Sequence, residues 1–571
     1  MEVRERRAPG SLDVAQSLDN LGLVAQDRGD LDKAVLLYEQ AVSIIETQRG
    51  QVRSPEGRAL LTERHGIPLQ LYPVVLLEAG RPTAAYVAVE RYRAAGFREQ
   101  LMERGTDWYA EVPGGLVKKQ RDLDNRRCMA YRRLATLPYP KSDETKMARE
   151  QIKQIEVEQR QLDEEMRRAS PKYASIVYPK PPTLSEVRKA LDSGTLHLSY
   201  VVGDDETPLF ALPGGYGSKD GGLKVFRIEV PAKKLAERIG NFRTYLRHAG
   251  STHSAKLTAT IGASLYKDLI APAEGMIRNA QRVVISPDGP LHKLPFAALN
   301  RNETEPKHYL IELKPLHIAP SLGVYGQLRL DRDRRVETTI PFAGFACPVT
   351  VAQRKVMEER LGQDKAGEAD LALLSGTERA VRGANVKELP DALREVEHGS
   401  RVFGSGSEVF LDEQASRAKL WEIAPKARVL HLGCHGGYLD ARPLESFVRL
   451  APSGDDHGVV WAWQVMRELK LTADLVVLSA CESALGRQSM YEGILGLTRA
   501  LHYSGARSVL ASLWKVDSRR AADLMIAFYD ELARGVTKDV ALQRAMLAML
   551  KDPATAAPYY WSGFILSGDW K

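Results

Sequence analysis

The sequence of 571 residues predicts a multidomain protein in which an α-helical repeat region precedes an α/β domain with a mainly parallel sheet. Three observations support this prediction. A helix-turn-helix pattern of small and large residues occurs before residue 100, a highly charged segment follows it, and beyond residue 180 short apolar runs alternate with helical stretches. Continuous apolar strands are typical of a parallel sheet that is covered on both faces. A chain that is 44% hydrophobic can bury more than one core.

The helical region begins with residues 17–45, SLDNLGLVAQDRGDLDKAVLLYEQAVSII. Small residues stand where two helices would approach closely, and large residues fill the space between the helices. This order resembles a tetratricopeptide (TPR) repeat. Residues 71–97 repeat the turn glycine at Gly80 and the small residue at Ala85. The segment HGIPLQ, which directly precedes them, disfavours a helix, so we interpret these residues as a degenerate second unit. The positions that carry the first pattern are Leu18, Leu21, Gly22, Gly29, Ala34, Tyr38 and Ala41.

Charge and proline content predict the domain boundaries. TPR-like helical repeats are expected over residues 1–115, and a charged helical spacer over 116–178. The prolines of YPKPPTLSEV disfavour a helix, and the Thr-Leu-Ser-Glu that follows is a helix start signal, so a new domain is expected from residue 179.

Composition narrows the class of protein. The net charge of +7 is a mild bias, and the basic cluster 126–133 contains interleaved neutral residues, so a solvated helix face is favoured over a nucleic-acid site. Direct nucleic-acid binding is therefore not expected; the alternative would use Arg126, Arg127, Arg132 and Arg133. The four cysteines lack CxxC spacing, which argues against a disulfide framework and a zinc site. Neither a signal peptide nor an apolar run of membrane-spanning length is evident, so we expect a cytoplasmic protein without a membrane segment.

Two apolar runs end in reactive side chains. The run VLHLGCHGG ends near His435, and DLVVLSACES ends near Cys481. If the two strands are neighbours in a parallel sheet, the imidazole and the thiol meet at its carboxyl edge. A free thiol has a pKa of about 8.5, so a nearby imidazole that acts as a base would activate it as a nucleophile. The pair predicts acyl transfer at a catalytic dyad.

The residues around the predicted dyad have expected roles of their own. Gly436 and Gly437 would let the backbone approach a substrate carbonyl, and the amides of Gly436 and Cys481 are candidate oxyanion donors, each worth about 3 kcal/mol in comparable sites. Cys434 is expected to pack in the core. His431 and His435 have a spacing that suits a metal on a helix, but the segment is a predicted strand without a third ligand, so no metal is expected.

A set of motifs in fixed order resembles the CHAT family, caspase-like cysteine peptidase domains often found beside TPR repeats. These motifs are CHG, SACESALG, YEGILGLTRALHYSGARSVLASLWKVD and YYWSGFILSGDW, with SPDGPLHKLPFAAL upstream. The resemblance covers roughly residues 180–571. It implies a caspase-like fold in which residues 179–390 form a noncatalytic half and residues 391–571 form a catalytic half. It also implies that His435 shuttles the proton while Cys481 forms the thioester.

The resemblance further implies a cysteine endopeptidase that acts on a protein substrate without a metal or an organic cofactor. In related folds a carboxylate selects a basic residue before the scissile bond, and Asp517 is a candidate for this pocket, with a helix N-cap as its alternative role. Glu492 is a candidate for structuring the catalytic loop. A protein or ribonucleoprotein regulator is expected to dock on the TPR-like region, and relatives serve in bacterial antiviral defence and programmed cell responses. The alternative function is an inactive TPR-CHAT scaffold.

Overall fold

The computed structural model describes most of the chain. It covers 11–51, 64–93, 113–119, 183–215, 222–248, 251–305, 307–333, 338–346, 390–437, 446–453, 458–479, 487–489, 493–514 and 517–571, with single residues or short groups at 61, at 456 and between 122 and 169. The chain divides into two compact units, Met1–Pro182 and Thr183–Lys571. This division lies close to the boundary that the proline-rich segment predicts.

The first unit contains two consecutive helix pairs. Gly29 and Gly80 join the helices of each pair with positive φ angles of 75° and 68°, which a glycine adopts without strain. A Cβ on Gly22 would lie 3.1 Å from the ring of Tyr38, so the small residue is required by helix contact. The predicted pattern of helical pairs is thereby confirmed. The helices are α1 (Leu12–Asp27), α2 (Leu31–Gln51), α3 (Ile67–Glu78) and α4 (Pro82–Tyr92).

Two details of the first unit differ from the sequence prediction. The segment that contains Pro68 was expected to resist helix formation, but Pro68 lies in the first turn of α3, where its missing N–H is not needed. Leu21 was expected to fill the space between helices, yet it is 43% exposed. It lies on a face of α1 that α2 does not cover, because only the other face of α1 packs against α2.

An eleven-stranded sheet forms the centre of the second unit. Its strand order is β3-β2-β1-β4-β5-β16-β15-β12-β8-β6-β7. The pairs β3-β2, β2-β1 and β16-β15 are antiparallel, and the other neighbours are parallel. The predicted α/β class with a mainly parallel sheet is confirmed. The strands are β1 (Thr195–Tyr200), β2 (Leu209–Pro213), β3 (Lys224–Phe226), β4 (Arg282–Ser286), β5 (Leu316–Ile318), β6 (Ile340–Ala346), β7 (Glu408–Leu411), β8 (Ala427–Gly433), β12 (Leu475–Leu478), β15 (Ser508–Ser512) and β16 (Phe564–Gly568).

Two smaller sheets stand apart from this main sheet. A three-stranded antiparallel sheet, called the small sheet below, has the order β11-β10-β9, and a hairpin pairs β13 with β14. The backbone of this hairpin contacts the 3-10 turn at Gly289–Lys293, which belongs to the predicted noncatalytic half. Their bounds are β9 (His435–Gly437), β10 (Phe447–Arg449), β11 (Val459–Trp461), β13 (Arg487–Ser489) and β14 (Gly493–Leu495).

Helices connect the strands of the second unit and pack on the main sheet. None of the helices in the described part of the chain is long and apolar enough to span a membrane. The helices are α5 (Leu184–Arg188), α6 (Ala232–Leu246), α7 (Thr252–Leu269), α8 (Glu274–Asn279), α9 (Leu310–Leu313), α10 (Leu322–Asp333), α11 (Pro390–Phe403), α12 (Arg417–Ile423), α13 (Ala462–Glu468), α14 (Leu497–Ser504), α15 (Ser518–Ala533), α16 (Lys538–Lys551) and α17 (Pro558–Trp561).

The last strand of the chain joins the two predicted halves into one sheet. β16 pairs antiparallel with β15 on one side and parallel with β5 on the other, where Ser567 lies opposite Ile318. A single cluster of buried apolar side chains includes residues of both halves. A buried ion pair also joins them, because Nε of Arg282 lies 2.8 Å from Oδ2 of Asp539. The halves therefore form one compact unit.

Candidate active site

The two strands that precede the predicted dyad are neighbours in the main sheet. β8 and β12 pair in parallel, and Leu432 lies opposite Leu478, 46 residues further along the chain. The amide of Ser479 also donates to the carbonyl oxygen of Leu432 at 3.2 Å. Because both strands run in the same direction, the segments that follow them leave the same edge of the sheet. The adjacency that the sequence prediction required is present.

The chain leaves the main sheet directly before His435. β8 ends at Gly433, Cys434 forms a bend, and His435 begins β9 of the small sheet. The sequence prediction treated this segment as one continuous strand, and that detail was wrong. The apolar run stops where the sheet edge stops, and the small sheet then holds the half-buried His435.

Cys434 packs in the core, as predicted. Its side chain is 1% exposed, and its Sγ donates to the carbonyl oxygen of Phe345 at 3.8 Å. Burial in apolar surroundings raises the pKa of a thiol and makes it unreactive. Cys434 therefore provides an unreactive neighbour against which a reactive thiol can be compared.

The contacts of His431 are internal to the domain. Its Nδ1 lies 2.5 Å from the hydroxyl of Tyr529, and its Nε2 lies 3.0 Å from Oε2 of Glu395, close enough for an ion pair but off the line of a hydrogen bond. Burial raises the pKa of the Tyr529 hydroxyl well above its usual value, and the nearby Glu395 carboxylate raises it further. In the described part of the chain no group of three His, Cys, Asp or Glu residues is placed to hold a metal.

The small sheet places one arginine beside His435. β9 and β10 are antiparallel, and Arg449 lies directly opposite His435. Side chains of directly opposed residues project from the same face, with Cβ atoms about 5 Å apart. Val448 and Val460 project from the other face into the core. The face that carries His435 is thus the one that faces away from the core.

Two aromatic rings continue this face of the small sheet. Phe447 lies opposite both Gly437 and Trp461, and its ring meets that of Trp461 edge-on with centroids 5.3 Å apart. A Cβ on Gly437 would lie 2.4 Å from the Phe447 ring. Gly437 is therefore required by the packing of Phe447, a reason that the sequence does not reveal.

The remaining candidates of the sequence analysis fall in different places. Cys481 and Glu492 lie outside the described residues, and Gly436 is in β9, opposite Val448. Asp517 caps the N-terminus of α15, where its Oδ1 accepts from the amide of Arg520 at 3.0 Å. This is the alternative role that the sequence allowed for Asp517, and its place in a substrate pocket stays a prediction.

One residue of the basic cluster is described. Arg126 forms two hydrogen bonds with the carboxylate of Glu158, at 2.7 and 3.0 Å, on an exposed surface. The other three arginines of this cluster lie outside the described residues. The charge of Arg126 is thus matched by an acidic residue of the charged helical segment.

Comparison with known proteins identifies the family. Residues 260–569 match the CHAT domain, which is more than half of the chain. The chain belongs to the CHAT family. This match includes β8, β12 and the small sheet, so the elements around His435 are those of a CHAT domain.

Curated relatives of the CHAT chain are much longer proteins. Tetratricopeptide repeat protein 28 of Mus musculus is 25% identical and that of Homo sapiens is 24% identical, each over 347 residues. The alignment covers 53% of this chain and 13% of each relative. The chain therefore spans a small part of the length of these relatives.

Solved structures show more distant likeness. The Saccharomyces cerevisiae separase-securin complex matches with a TM-score of 0.40 and 8% identity, covering 97% of this chain and 47% of that one. The Arg-specific cysteine proteinase gingipain R matches with a TM-score of 0.31 and 9% identity, covering 56% of this chain and 68% of that one. At these scores, the likeness carries no argument about the chemistry of this CHAT domain.

Three residues on this face of the small sheet were not predicted from the sequence: Arg449, Phe447 and Trp461. These residues lie in short strands of three residues each, and the pairing of such strands cannot be read from composition or periodicity. A weak signal was present, because an arginine within the apolar run SFVRLA is unusual for a strand that faces a core.

Proposed function

We propose that this CHAT protein is a cysteine endopeptidase in which His435 and Cys481 form the catalytic dyad. The observation that carries the proposal is the pairing of β8 with β12. Leu432 pairs with Leu478, and the same 46 positions separate His435 from Cys481 in the sequence. Membership of a family of caspase-like peptidases supports the same assignment.

The proposed reaction has two steps. The Cys481 thiolate attacks the carbonyl carbon of a peptide bond and forms a carbon-sulfur bond, while protonated His435 gives its proton to the leaving amine. Water then attacks the thioester, His435 accepts its proton, and the carboxylic acid leaves as the thiol is restored. The amides of Gly436 and Cys481 are the proposed donors to the oxyanion. The chemistry calls for no metal or organic cofactor.

The helical unit supports a regulatory role within this proposal. Stacked helix pairs offer surface for a partner but no reactive side-chain set. We infer that a protein or ribonucleoprotein regulator binds the TPR-like region and controls cleavage by the CHAT domain. A cytoplasmic role in defence or in a programmed cell response belongs to the same proposal.

Mass spectrometry of candidate protein substrates tests the dyad. The wild type should cleave a substrate that Cys481→Ala and His435→Ala leave intact, with a loss of at least about 1,000-fold for a nucleophile or base. Cleavage that survives either substitution would refute the dyad. If the wild type and both variants bind a partner equally and the wild type also fails to cleave, the protein is a scaffold.

A thiol-directed probe provides the matched control. A neutral alkylating probe should label Cys481 faster than Cys434, because a buried apolar thiol lacks the activation that a neighbouring imidazole provides. The Cys434→Ala variant should keep the labelling of Cys481. Equal labelling of both cysteines, or labelling of Cys434 alone, contradicts an activated thiol at position 481.

A further inference from the structure

Arg449 lies opposite His435 in the small sheet. Arg449 is 6% exposed, and its Nε has no hydrogen-bond partner among the described residues. Among the residues that the structure describes, no carboxylate lies within ion-pairing distance of its guanidinium. Burial lowers the pKa of Arg449, but an arginine still keeps its proton at neutral pH.

A buried positive charge without a partner is unfavourable for the fold. The cost of removing a guanidinium from water is offset only when a negative group pairs with it. Two other buried arginines of the same unit have such a group, because Arg282 pairs with Asp539 and Arg507 pairs with Asp474. Unsatisfied buried polar groups that persist in a fold are commonly found at binding and catalytic sites.

The location of Arg449 indicates which bound group could pair with its positive charge. Arg449 and His435 share the face of the small sheet that points away from the core. A group bound to the guanidinium would lie on the same face of the small sheet as the imidazole, because the two Cβ atoms are about 5 Å apart. A guanidinium binds a carboxylate through two parallel hydrogen bonds, which orients the carboxylate as well as holding it.

We propose that Arg449 binds an acidic side chain of the substrate, within two residues of the scissile bond. This proposal rests on the proposed peptidase function, since a protein substrate offers carboxylates near the reacting bond only through Asp and Glu. The rings of Phe447 and Trp461 lie on the same face and provide apolar contact for the residues that flank the acidic one. The selected charge is opposite to the one that Asp517 would select.

Cleavage-site profiling measures this preference. The full chain is incubated with a proteome-derived peptide library, and mass spectrometry identifies the residues on both sides of each cut. For the wild type we expect Asp and Glu to be enriched about 10-fold or more at one position within two residues of the cut. Arg449→Gln should still cut but lose this enrichment.

Arg417→Gln is the matched control variant. Arg417 is half-exposed in α12, and its Nε lies 2.6 Å from Oδ2 of Asp456, so it already has a partner within the protein. This variant should keep the enrichment of acidic residues. Cutting by the wild type without acidic enrichment, or enrichment that survives Arg449→Gln, overturns the role of Arg449 and leaves the dyad intact.

If no peptide is cut, that result counts against the peptidase function. A binding measurement still tests the role of Arg449 in that case. Acetyl-glutamate amide at high concentration should raise the melting temperature of the Cys481→Ala chain, whereas acetyl-glutamine amide and acetyl-lysine amide at equal ionic strength should not. Arg449→Met in the same chain should abolish this rise. A rise that persists in Arg449→Met, or no rise with the glutamate compound, contradicts the proposal.

The stability of Arg449→Met separates binding from a structural role. Because the substitution removes a buried charge that no described residue pairs with, the melting temperature without added compound should increase by about 2 °C. A residue that held the fold together would show the reverse. A clear decrease in melting temperature therefore overturns the claim that Arg449 is kept for a ligand.

Discussion

A buried polar pair of the main sheet and the buried arginine of the small sheet differ in the partners that they contact. In the main sheet, Nε2 of His197 lies 2.8 Å from the hydroxyl of Ser286, which donates to the carbonyl oxygen of Ala319 at 2.8 Å. In the small sheet, the guanidinium of Arg449 has no such partner within the described residues. The hydrogen-bonded His197 and Ser286 stabilise a unique packing of the main sheet. The guanidinium of Arg449 keeps N–H donors that could bind a ligand. Packing within the fold therefore accounts for His197 and Ser286, whereas the charge of Arg449 is the one to which we assign a ligand.

The comparison is tested most directly by replacing one buried arginine with methionine in each sheet, Arg282 in the main sheet and Arg449 in the small sheet. Arg282→Met leaves the Asp539 carboxylate buried and unpaired, and it removes a guanidinium that lies 3.2 Å from the centroid of the Trp570 ring. We expect the free energy of unfolding to fall by about 4 kcal/mol, opposite in sign to the effect of Arg449→Met. Urea denaturation measures both variants.

An exposed ion pair provides the control for Arg282. Arg227 pairs with Glu206 at 2.8 Å, but its side chain is 60% exposed, so Arg227→Met should change the free energy of unfolding by less than about 1 kcal/mol. A loss at Arg282 no larger than the loss at Arg227 would break the distinction between paired buried charges and surface charges.

Two buried histidines, His317 in β5 and His502 in α14, should make stability depend on pH. Burial lowers the pKa of His502 to about 4 and that of His317 to about 4, below the usual value of 6.5. The unfolded chain then binds more protons between pH 4 and 6.5, so stability is full above this window and falls as the pH falls through it. Between pH 8 and pH 5 each histidine should account for a loss of about 2 kcal/mol.

The variant His502→Gln tests one of these two contributions. In the folded protein His502 lies 2.8 Å from the carbonyl oxygen of Ala506 and 3.1 Å from the hydroxyl of Ser567, contacts that suit a neutral ring. Urea denaturation across the pH range should show a smaller decrease for the variant than for the wild type. An unchanged pH dependence would mean that His502 is protonated with little penalty in the fold.

A hydroxyl deletion next to His431 should have a moderate effect. Tyr529→Phe removes the group that contacts Nδ1 of His431 and leaves that buried nitrogen without its partner. We expect a loss of about 1 to 2 kcal/mol in the free energy of unfolding. Tyr560→Phe, at a half-buried ring on α17, should change stability by less than about 0.5 kcal/mol. Equal effects of the two substitutions would contradict a specific contribution from the His431 contact.

Substitutions of Asp517 should have the smallest effect on stability. They also distinguish its role as a helix N-cap from a role in a substrate pocket. Asp517→Ala removes the N-cap of α15 and should cost about 1 kcal/mol, whereas Asp517→Ser keeps a capping oxygen and should restore most of that loss. Thermal denaturation measures both. If Asp517 instead selects substrates, Asp517→Ser will be stable yet will change the residues found at the cleavage site.

Local patterns predicted more of the fold than of the site. The apolar runs that became β4, β8, β12 and β15 were recognisable because a parallel strand that is buried on both faces contains consecutive apolar residues. The helix pairs of the first unit were recognisable for a similar reason. Their small residues recur at the spacing where two helices meet.

The site was less predictable because it depends on strands that are distant in sequence. The strands before His435 and Cys481 are neighbours, as the predicted dyad requires, because β8 pairs with β12. The bend at Cys434 was missed, since nothing in the continuous run VLHLGCHGG marks the edge of the main sheet. The bend is set by where the neighbouring strands end.

By itself, the sequence determined the fold class, the order of the two regions and the residues with reactive side chains. Those properties follow from local spacing and from the chemistry of single residues. Only the tertiary structure decided that Arg449 stands beside His435, that Phe447 requires Gly437, and that Asp517 caps a helix. Each of these depends on register, and register is fixed by the packing of whole sheets rather than by any short segment.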